Sequence, residues 1–277
     1  MNQFLNFLST KLTVKQQHWL DFLLAMTEKE IKIRYKNVTL GFLWAVINPL
    51  LQMLIIGLVF QFLIPVKVDN YFLFLLTGLL PWIFFSSSIN KCTPAIIHQR
   101  DLIQKAKFPR ETIIISTILS NMLHLLISLI ILISALAGKQ LLFNNYSFFQ
   151  LVNYLVATLA IFPLLIWLGF LTAGLSLLFS ALNVKNRDVN FLVQAITPLW
   201  FYATPIVYSL NLLPTRLHLL FYLNPIAAII EGFHLVLLQQ KTISINLFII
   251  NIIISILIFI FGWKIFKQQE KYFIDKI

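Results

Sequence analysis

Six stretches of this chain carry no Asp, Glu, Lys or Arg: residues 37–66, 70–90, 112–138, 140–184, 189–215 and 242–263. A helix needs about 20 apolar residues to cross the roughly 30 Å hydrocarbon core of a bilayer. Each stretch is long enough for one. The fourth opens on a polar loop, Asn144-Asn145-Tyr146-Ser147. The pattern predicts six transmembrane helices, at 42–64, 71–90, 112–137, 150–180, 190–209 and 243–263.

Three further segments carry a different pattern. Residues 12–36 are amphipathic at helical spacing. Leu12, Trp19, Leu20, Leu23, Leu24, Met26, Ile31 and Tyr35 share one half of the wheel. Lys11, Lys15, His18, Asp21, Glu28, Lys29, Lys32 and Lys36 share the other. That division predicts a helix lying in the headgroup plane with lysines toward anionic lipid. Glu30 and Arg34 fall on the apolar half, four apart with the acid first, the favourable order for an ion pair. Two readings stay open: a pair that neutralises itself, or an Arg34 that faces a partner or an anionic substrate head.

Residues 91–111 form a basic excursion. Thr93-Pro94 reads as an N-cap and first helical position, which predicts a short helix over 94–106 and a restart at Pro109. The stretch 205–241 is apolar but broken by Pro205, Pro214, Asn224-Pro225 and Gly232. Its pieces are too short to span. They predict a re-entrant hairpin over 210–239, with Glu231 in its second arm, a shape tolerated only where protein or a cavity surrounds it.

Composition sharpens this picture. The chain has 277 residues, 59% hydrophobic and 11% charged, against about 25% charged in ordinary soluble domains. Its formal net charge is nevertheless +11. A soluble enzyme, a disordered chain and a disulfide-rich secreted domain are excluded, and the single Cys92 permits no intrachain disulfide. Of 21 Lys and Arg, 17 fall in segments 1–41, 91–111, 183–190 and 264–277. This asymmetry predicts that both termini are cytoplasmic. The first 41 residues show no cleavable leader.

Candidate chemistry is sparse. Gly169–Ser176, GFLTAGLS, has the glycine spacing of a nucleotide loop but Leu175 in place of its lysine, inside a span. There is no zinc signature and no pair of carboxylates suited to glycosyl transfer. Among the predicted spans only His124 is ionisable, which argues against an ion-coupled pump. His98 is isolated, and Asn121 with His124 is suited to an interhelical contact.

The ordered motifs resemble those of polysaccharide-export ABC transporter permeases, the group that serves O-antigen, capsule and teichoic acid. Arg34-Tyr35-Lys36, Leu40-Gly41, Trp44 and Asn48-Pro49 are similar to the family's approach to its first span, R-Y-x-x-x-x-LG-x-x-W-x-x-x-x-P. Phe108-Pro109-Arg110-Glu111 resembles its P-R-E segment, and Lys185-Asn186-Arg187-Asp188-Val189 its R-x-R-D-V loop. Leu223-Asn224-Pro225 with Glu231-Gly232-Phe233 resembles its outer L-N-P…E-x-F-R segment, with His234 where a basic residue is common. Lys271-Tyr272-Phe273 matches its basic-aromatic tail.

The resemblance implies an all-α polytopic membrane protein of the bacterial cytoplasmic (inner) membrane. It implies a homodimer with a channel at its interface, paired with two copies of a cytosolic ATPase that binds the ATP and magnesium. The implied substrate is a glycan on a polyprenyl diphosphate, among membrane lipid and without nucleic acid. This chain would carry no cofactor, no metal and no catalytic residue. Arg34, Tyr35, Leu40, Gly41 and Trp44 would admit the substrate. Asn48, Pro49, Gln52, Phe60, Trp200, Phe201 and Tyr202 would line the channel, although lipid-facing aromatics explain several of these equally well. Ile97, His98, Arg100 and Asp101, with Lys185, Arg187 and Asp188, would meet the ATPase. Arg216, Asn224, Pro225 and Glu231 would belong to the outer gate. Competing readings are a small-drug exporter of the same superfamily, a polytopic enzyme acting on lipid-linked sugars, and a passive channel.

Overall fold

The computed structural model describes residues 14–36, 39–63, 70–143, 148–209, 223–238 and 245–276. Among them there are helices and no strand. In order these are α1 (Val14–Tyr35), α2 (Trp44–Leu58), α3 (Tyr71–His98), α4 (Arg100–Lys105), α5 (Glu111–Phe143), α6 (Phe148–Thr158), α7 (Ile161–Lys185), α8 (Asp188–Tyr202), α9 (Pro225–Leu238), α10 (Ile245–Glu270) and α11 (Phe273–Lys276). A 3-10 turn, Gly41–Leu43, leads into α2, and a π-turn, Val59–Leu63, follows it. Among the described residues, five segments are long and apolar enough to cross a bilayer: Gly41–Gln61, Tyr71–His98, Glu111–Leu141, Phe149–Lys185 and Phe248–Glu270. Helices bond their own backbone, so they suit hydrocarbon, and the chain is an all-α polytopic membrane protein.

Several boundaries differ from those the sequence predicts. The stretch 190–209 is represented by α8, whose 15 residues reach about 22 Å. Helix is disfavoured at Thr204 because Pro205 follows it, and the Thr204 hydroxyl instead turns back to the Trp200 carbonyl at 2.8 Å. The helix of the stretch 150–180 is interrupted between Thr158 and Ile161. There Pro163 lacks an amide hydrogen and its ring crowds the carbonyl of Leu159, one turn back.

The largest difference lies at the predicted helix 94–106. No helix starts at Pro94. Instead α3 continues through Pro81 and Pro94 to His98. Thr93 is not a cap, because its hydroxyl donates to the Ile89 carbonyl at 2.8 Å within α3. The break comes at Gln99, with φ −101° and ψ 29°, and the short helix is α4. Lys91, a loop residue by charge pattern, therefore sits on a membrane-length helix. His124 is not the only ionisable side chain on such a helix.

The core is built from α3, α5 and α7, with α10 lying along α7. A seam of small polar residues runs through it: Ser88, Cys92, Thr93, Ser116, Thr172, Ser176 and Ser180 are all buried. Several hydroxyls bond carbonyls of their own helix, as Thr172 does to Leu168 at 2.7 Å and Ser180 to Leu177 at 3.0 Å. Small residues let helix backbones approach closely, which is how membrane helices gain packing contact when lipid is as apolar as they are. Gly174 and Gly262 carry this furthest, with backbone against backbone where α7 crosses α10.

Nearly the whole of α9 is buried, packed on α3, α7 and α10. An element surrounded by protein satisfies the condition for a re-entrant segment. His234 is fully buried, stacked on Phe74 with ring centroids 4.0 Å apart. Its Nε2 lies 3.1 Å from the Phe74 carbonyl, and its Nδ1 lies 3.4 Å from Glu231 Oε2. Most of the first arm of the predicted hairpin, including Arg216, lies outside the described residues.

Candidate functional site

Helix α1 packs on α5. Leu23, Met26 and Thr27 are buried in that contact, and Phe22 meets Phe108 with ring centroids 4.5 Å apart. Leu24, placed by the sequence pattern on the apolar half, points outward. Glu30 and Arg34 lie half-buried on the protein-facing side. They do not make the contact pair that their spacing predicts. Gln99 Nε2 donates to Glu30 at 3.4 Å, and Arg34 Nη2 donates to Asn121 Oδ1. Asn121 Nδ2 in turn donates to Ser88 Oγ at 2.9 Å. Arg34, Asn121 and Ser88 thus form one polar chain from α1 through α5 to α3. Burial pulls the Arg34 guanidinium below its usual pKa, and the nearby Glu30 charge opposes that shift.

The next residue extends the same junction. Tyr35 OH lies 2.9 Å from the ring nitrogens of His124, and the two rings stack at 5.3 Å. Phe42 closes on Tyr35 at 4.1 Å. Between them the chain turns at Gly41, whose φ is +47°. Only glycine adopts this left-handed conformation without steric cost. Leu40 and Gly41 form the bend into α2 and are not part of the cavity wall described next.

A cavity of about 420 Å³ opens between α1, α2, α3 and α5. Arg34, Tyr35, Trp44, Asn48 and Pro49, all singled out from the sequence, line it together. Asn121 and His124 of α5, the pair suited to an interhelical contact, line it too, and the fold adds Ser87 and Lys91 from α3 and Ser128 from α5. Ser128 also donates to the Ala45 carbonyl of α2 at 2.8 Å, which ties the first span to α5. The cavity therefore offers two cations, several donors and an apolar wall that includes Leu80, Phe84 and Leu125.

A second space, a groove of about 550 Å³, lies between α2, α3 and α8. Gln52, Trp82, Asn90, Phe201 and Tyr202 line it, and Lys91 lines it as well. Phe201 meets Trp82 edge-on at 5.6 Å. Trp200 turns inward: its ring meets Phe85 at 5.2 Å and its Nε1 donates to Asn224 Oδ1 at 3.1 Å. Asn224 also donates to Thr204 Oγ1 at 3.2 Å. It thereby fastens the end of α8 to the start of α9, where Pro225 is buried. Phe60 packs on the core and lines neither space.

The remaining candidates are surface residues. His98, Arg100, Asp101, Lys185, Arg187 and Asp188 are exposed, and Ile97 is half-buried. Asn90 reaches Thr197 at 3.4 Å, which puts the ends of α3 and α8 near these residues at one end of the bundle. A clasp that the sequence reading missed lies at the foot of α5. Lys267 Nζ reaches Glu111 Oε2 at 2.8 Å and Glu270 Oε2 at 3.0 Å. Arg110 Nη1 donates to the Glu270 carbonyl, and its guanidinium lies 6.0 Å from the Phe273 ring centroid. The signal was present as P-R-E and the basic-aromatic tail, but nothing local says that the two meet.

Comparison with known proteins defines the class. Residues 22–238 match the family described as ABC-2 type transporter. The chain belongs to that family. It is 31% identical over 274 residues to the O-antigen export system permease protein RfbA of Klebsiella pneumoniae, covering 97% of this chain and 99% of that one. It is 28% identical over 258 residues to the protein of the same name from Myxococcus xanthus, covering 92% and 95%. The polysialic acid transport protein KpsM of Escherichia coli is 25% identical over 211 residues, covering 75% and 77%.

Proposed function

We propose that the chain is the membrane permease of an ATP-driven polysaccharide exporter of the bacterial cytoplasmic membrane. It works as a homodimer, with two copies of a separate ATPase that binds ATP and magnesium, and both its termini are cytoplasmic. The substrate is a glycan on a polyprenyl diphosphate. The observation that carries this reading is the cavity beside α1, where Arg34 and Lys91 face the same space as Trp44 and Tyr35. Two cations suit a diphosphate, and the apolar wall suits the lipid chain that it carries. The aromatic groove of Trp82, Phe201 and Tyr202 suits sugar rings, whose C–H faces stack on aromatic faces while hydroxyls stay wet. Exposed α4 and the 185–188 loop are the docking face for the ATPase. The names of the relatives favour a glycan over a small drug.

The test is reconstitution. The permease and its ATPase, placed together in proteoliposomes, are expected to move a lipid-linked glycan across the membrane only with ATP. Transport of small amphiphilic drugs with no transport of lipid-linked glycan overturns the reading. So does glycan passage without ATP.

A further inference from the structure

The cavity and the groove share a wall. Ser87 and Lys91, one helical turn apart on α3, line both spaces. On the facing α2, Asn48 lines the cavity and Gln52 the groove, and Gln52 Nε2 donates to Asn48 Oδ1 at 3.0 Å. Four polar side chains therefore stand where the two spaces adjoin.

Lys91 is set apart from the other three. Among the described residues it makes no salt bridge. Arg34, the other cation of the cavity, is held by Asn121. Every other described residue that lines the groove is neutral. A lysine on a membrane-length helix is costly unless something anionic or polar receives it. An ammonium on a flexible stem is a point charge that can swing, whereas a guanidinium binds as a rigid fork. Arg34, held by Asn121, and Lys91 line the same cavity, and of the two only Lys91 also lines the groove.

We propose that Lys91 is a hand-over cation: it takes the phosphate-class anionic group of the substrate from Arg34 in the cavity and carries it past the Asn48–Gln52 pair into the groove. The proposal rests on the reading of the chain as an exporter of diphosphate-linked glycan. It adds that the two charges have different duties, Arg34 for loading and Lys91 for passage.

The experiment uses the reconstituted permease–ATPase complex with a lipid-linked glycan and measures ATP-dependent translocation against glycan-lipid concentration. Lys91→Gln is expected to lower the maximal rate at least tenfold and to change the apparent KM less than threefold. Arg34→Gln is expected to raise the apparent KM. Lys91→Arg is expected to keep more of the rate than Lys91→Gln. Cys92, the single native cysteine, is fully buried, so Lys91→Cys gives a clean chemical rescue. A thiol reagent that leaves an aminoethyl group is expected to restore transport, and one that leaves a methyl group is not. Wild-type rates in Lys91→Gln overturn the proposal, as does a rise in KM like that of Arg34→Gln. Equal rescue by the neutral reagent overturns it too, because the residue would then fill space. Failure of the wild-type complex to move lipid-linked glycan is a different result and removes the underlying reading instead.

Discussion

Gly174 and Gly262 leave no room for a side chain between them. A Cβ on Gly262 would meet the carbonyl group of Gly174, 2.9 Å from its carbon, and one on Gly174 would lie 2.8 Å from the backbone nitrogen of Phe259. Backbone cannot move aside as a side-chain tip can. Gly262→Ala is therefore expected to separate α7 from α10, with a loss of about 1–3 kcal/mol, the usual range for overpacking. Gly138 on α5 has open space around it, so Gly138→Ala is the matched control and should be neutral or slightly stabilising. Thermal unfolding of the detergent-solubilised protein compares the two. Equal melting temperatures would remove the close crossing.

At Gly41 the constraint is conformational. Nothing lies within 4 Å of a Cβ there, yet φ is +47°. Gly41→Ala is expected to cost about 1–2 kcal/mol in the bend without a clash. Gly41→Asn, a residue that tolerates this region, should cost less. Surface polysaccharide per molecule of permease is expected to fall in the order Gly, Asn, Ala. An alanine variant that exports as well as the asparagine variant would show that the bend relaxes freely.

The Arg34–Asn121–Ser88 chain should hold α1 to the bundle. A hydrogen bond to a charged group contributes about 1.5–3 kcal/mol. Asn121→Leu removes the acceptor, and α1 is expected to become more accessible to protease between residues 24 and 34. Arg34→Lys keeps the charge and loses the planar fork, so it should hold α1 only in part. Unchanged cleavage in both variants would mean that the other contacts of α1, Leu23, Met26 and the Tyr35–His124 pair among them, hold it without this chain.

Lys267 joins two carboxylates, and its loss leaves Glu111 buried without its cation. Lys267→Met is expected to destabilise by about 1–3 kcal/mol through that unsatisfied group. Adding Glu111→Gln should recover part of the loss, a non-additivity typical of contacting pairs. Chemical denaturation of the single and double variants measures it. Strict additivity would show that Glu111 and Lys267 act independently.

On the exposed α4, Arg100→Ala together with Asp101→Ala should leave melting temperature unchanged while ATPase co-purification falls. Full retention of the ATPase would place its docking face elsewhere.

Much of this architecture is readable along the chain, and the misreadings have physical causes. Absence of charge locates the long apolar segments because charge is costly in hydrocarbon. Thr93-Pro94 misled because a threonine before proline fits an N-cap and a helix interior alike; the hydroxyl bond to Ile89 decides between them and exists only in three dimensions. The same charge rule that locates the spans places Lys91 in a loop, and so hides the cation shared by both spaces. GFLTAGLS had the right glycine for the wrong reason, since Gly174 serves a helix crossing. Arg34 was legible as an odd residue on an apolar face, but its partner lies 87 positions away, and no local pattern reaches that far.

The continuity of α3 gives the molecule a lever. Its 28 residues make a rod about 42 Å long. At one end Gln99 and α4 follow it directly. At the other, the Tyr71 hydroxyl holds the Val207 carbonyl at 2.8 Å and the Phe74 carbonyl meets His234 of α9. A tilt of about 5° in a rod of that length displaces one end by roughly 4 Å relative to the other, more than the length of a hydrogen bond. Force applied at α4 would thus reach the Val207 and His234 contacts along one continuous helix.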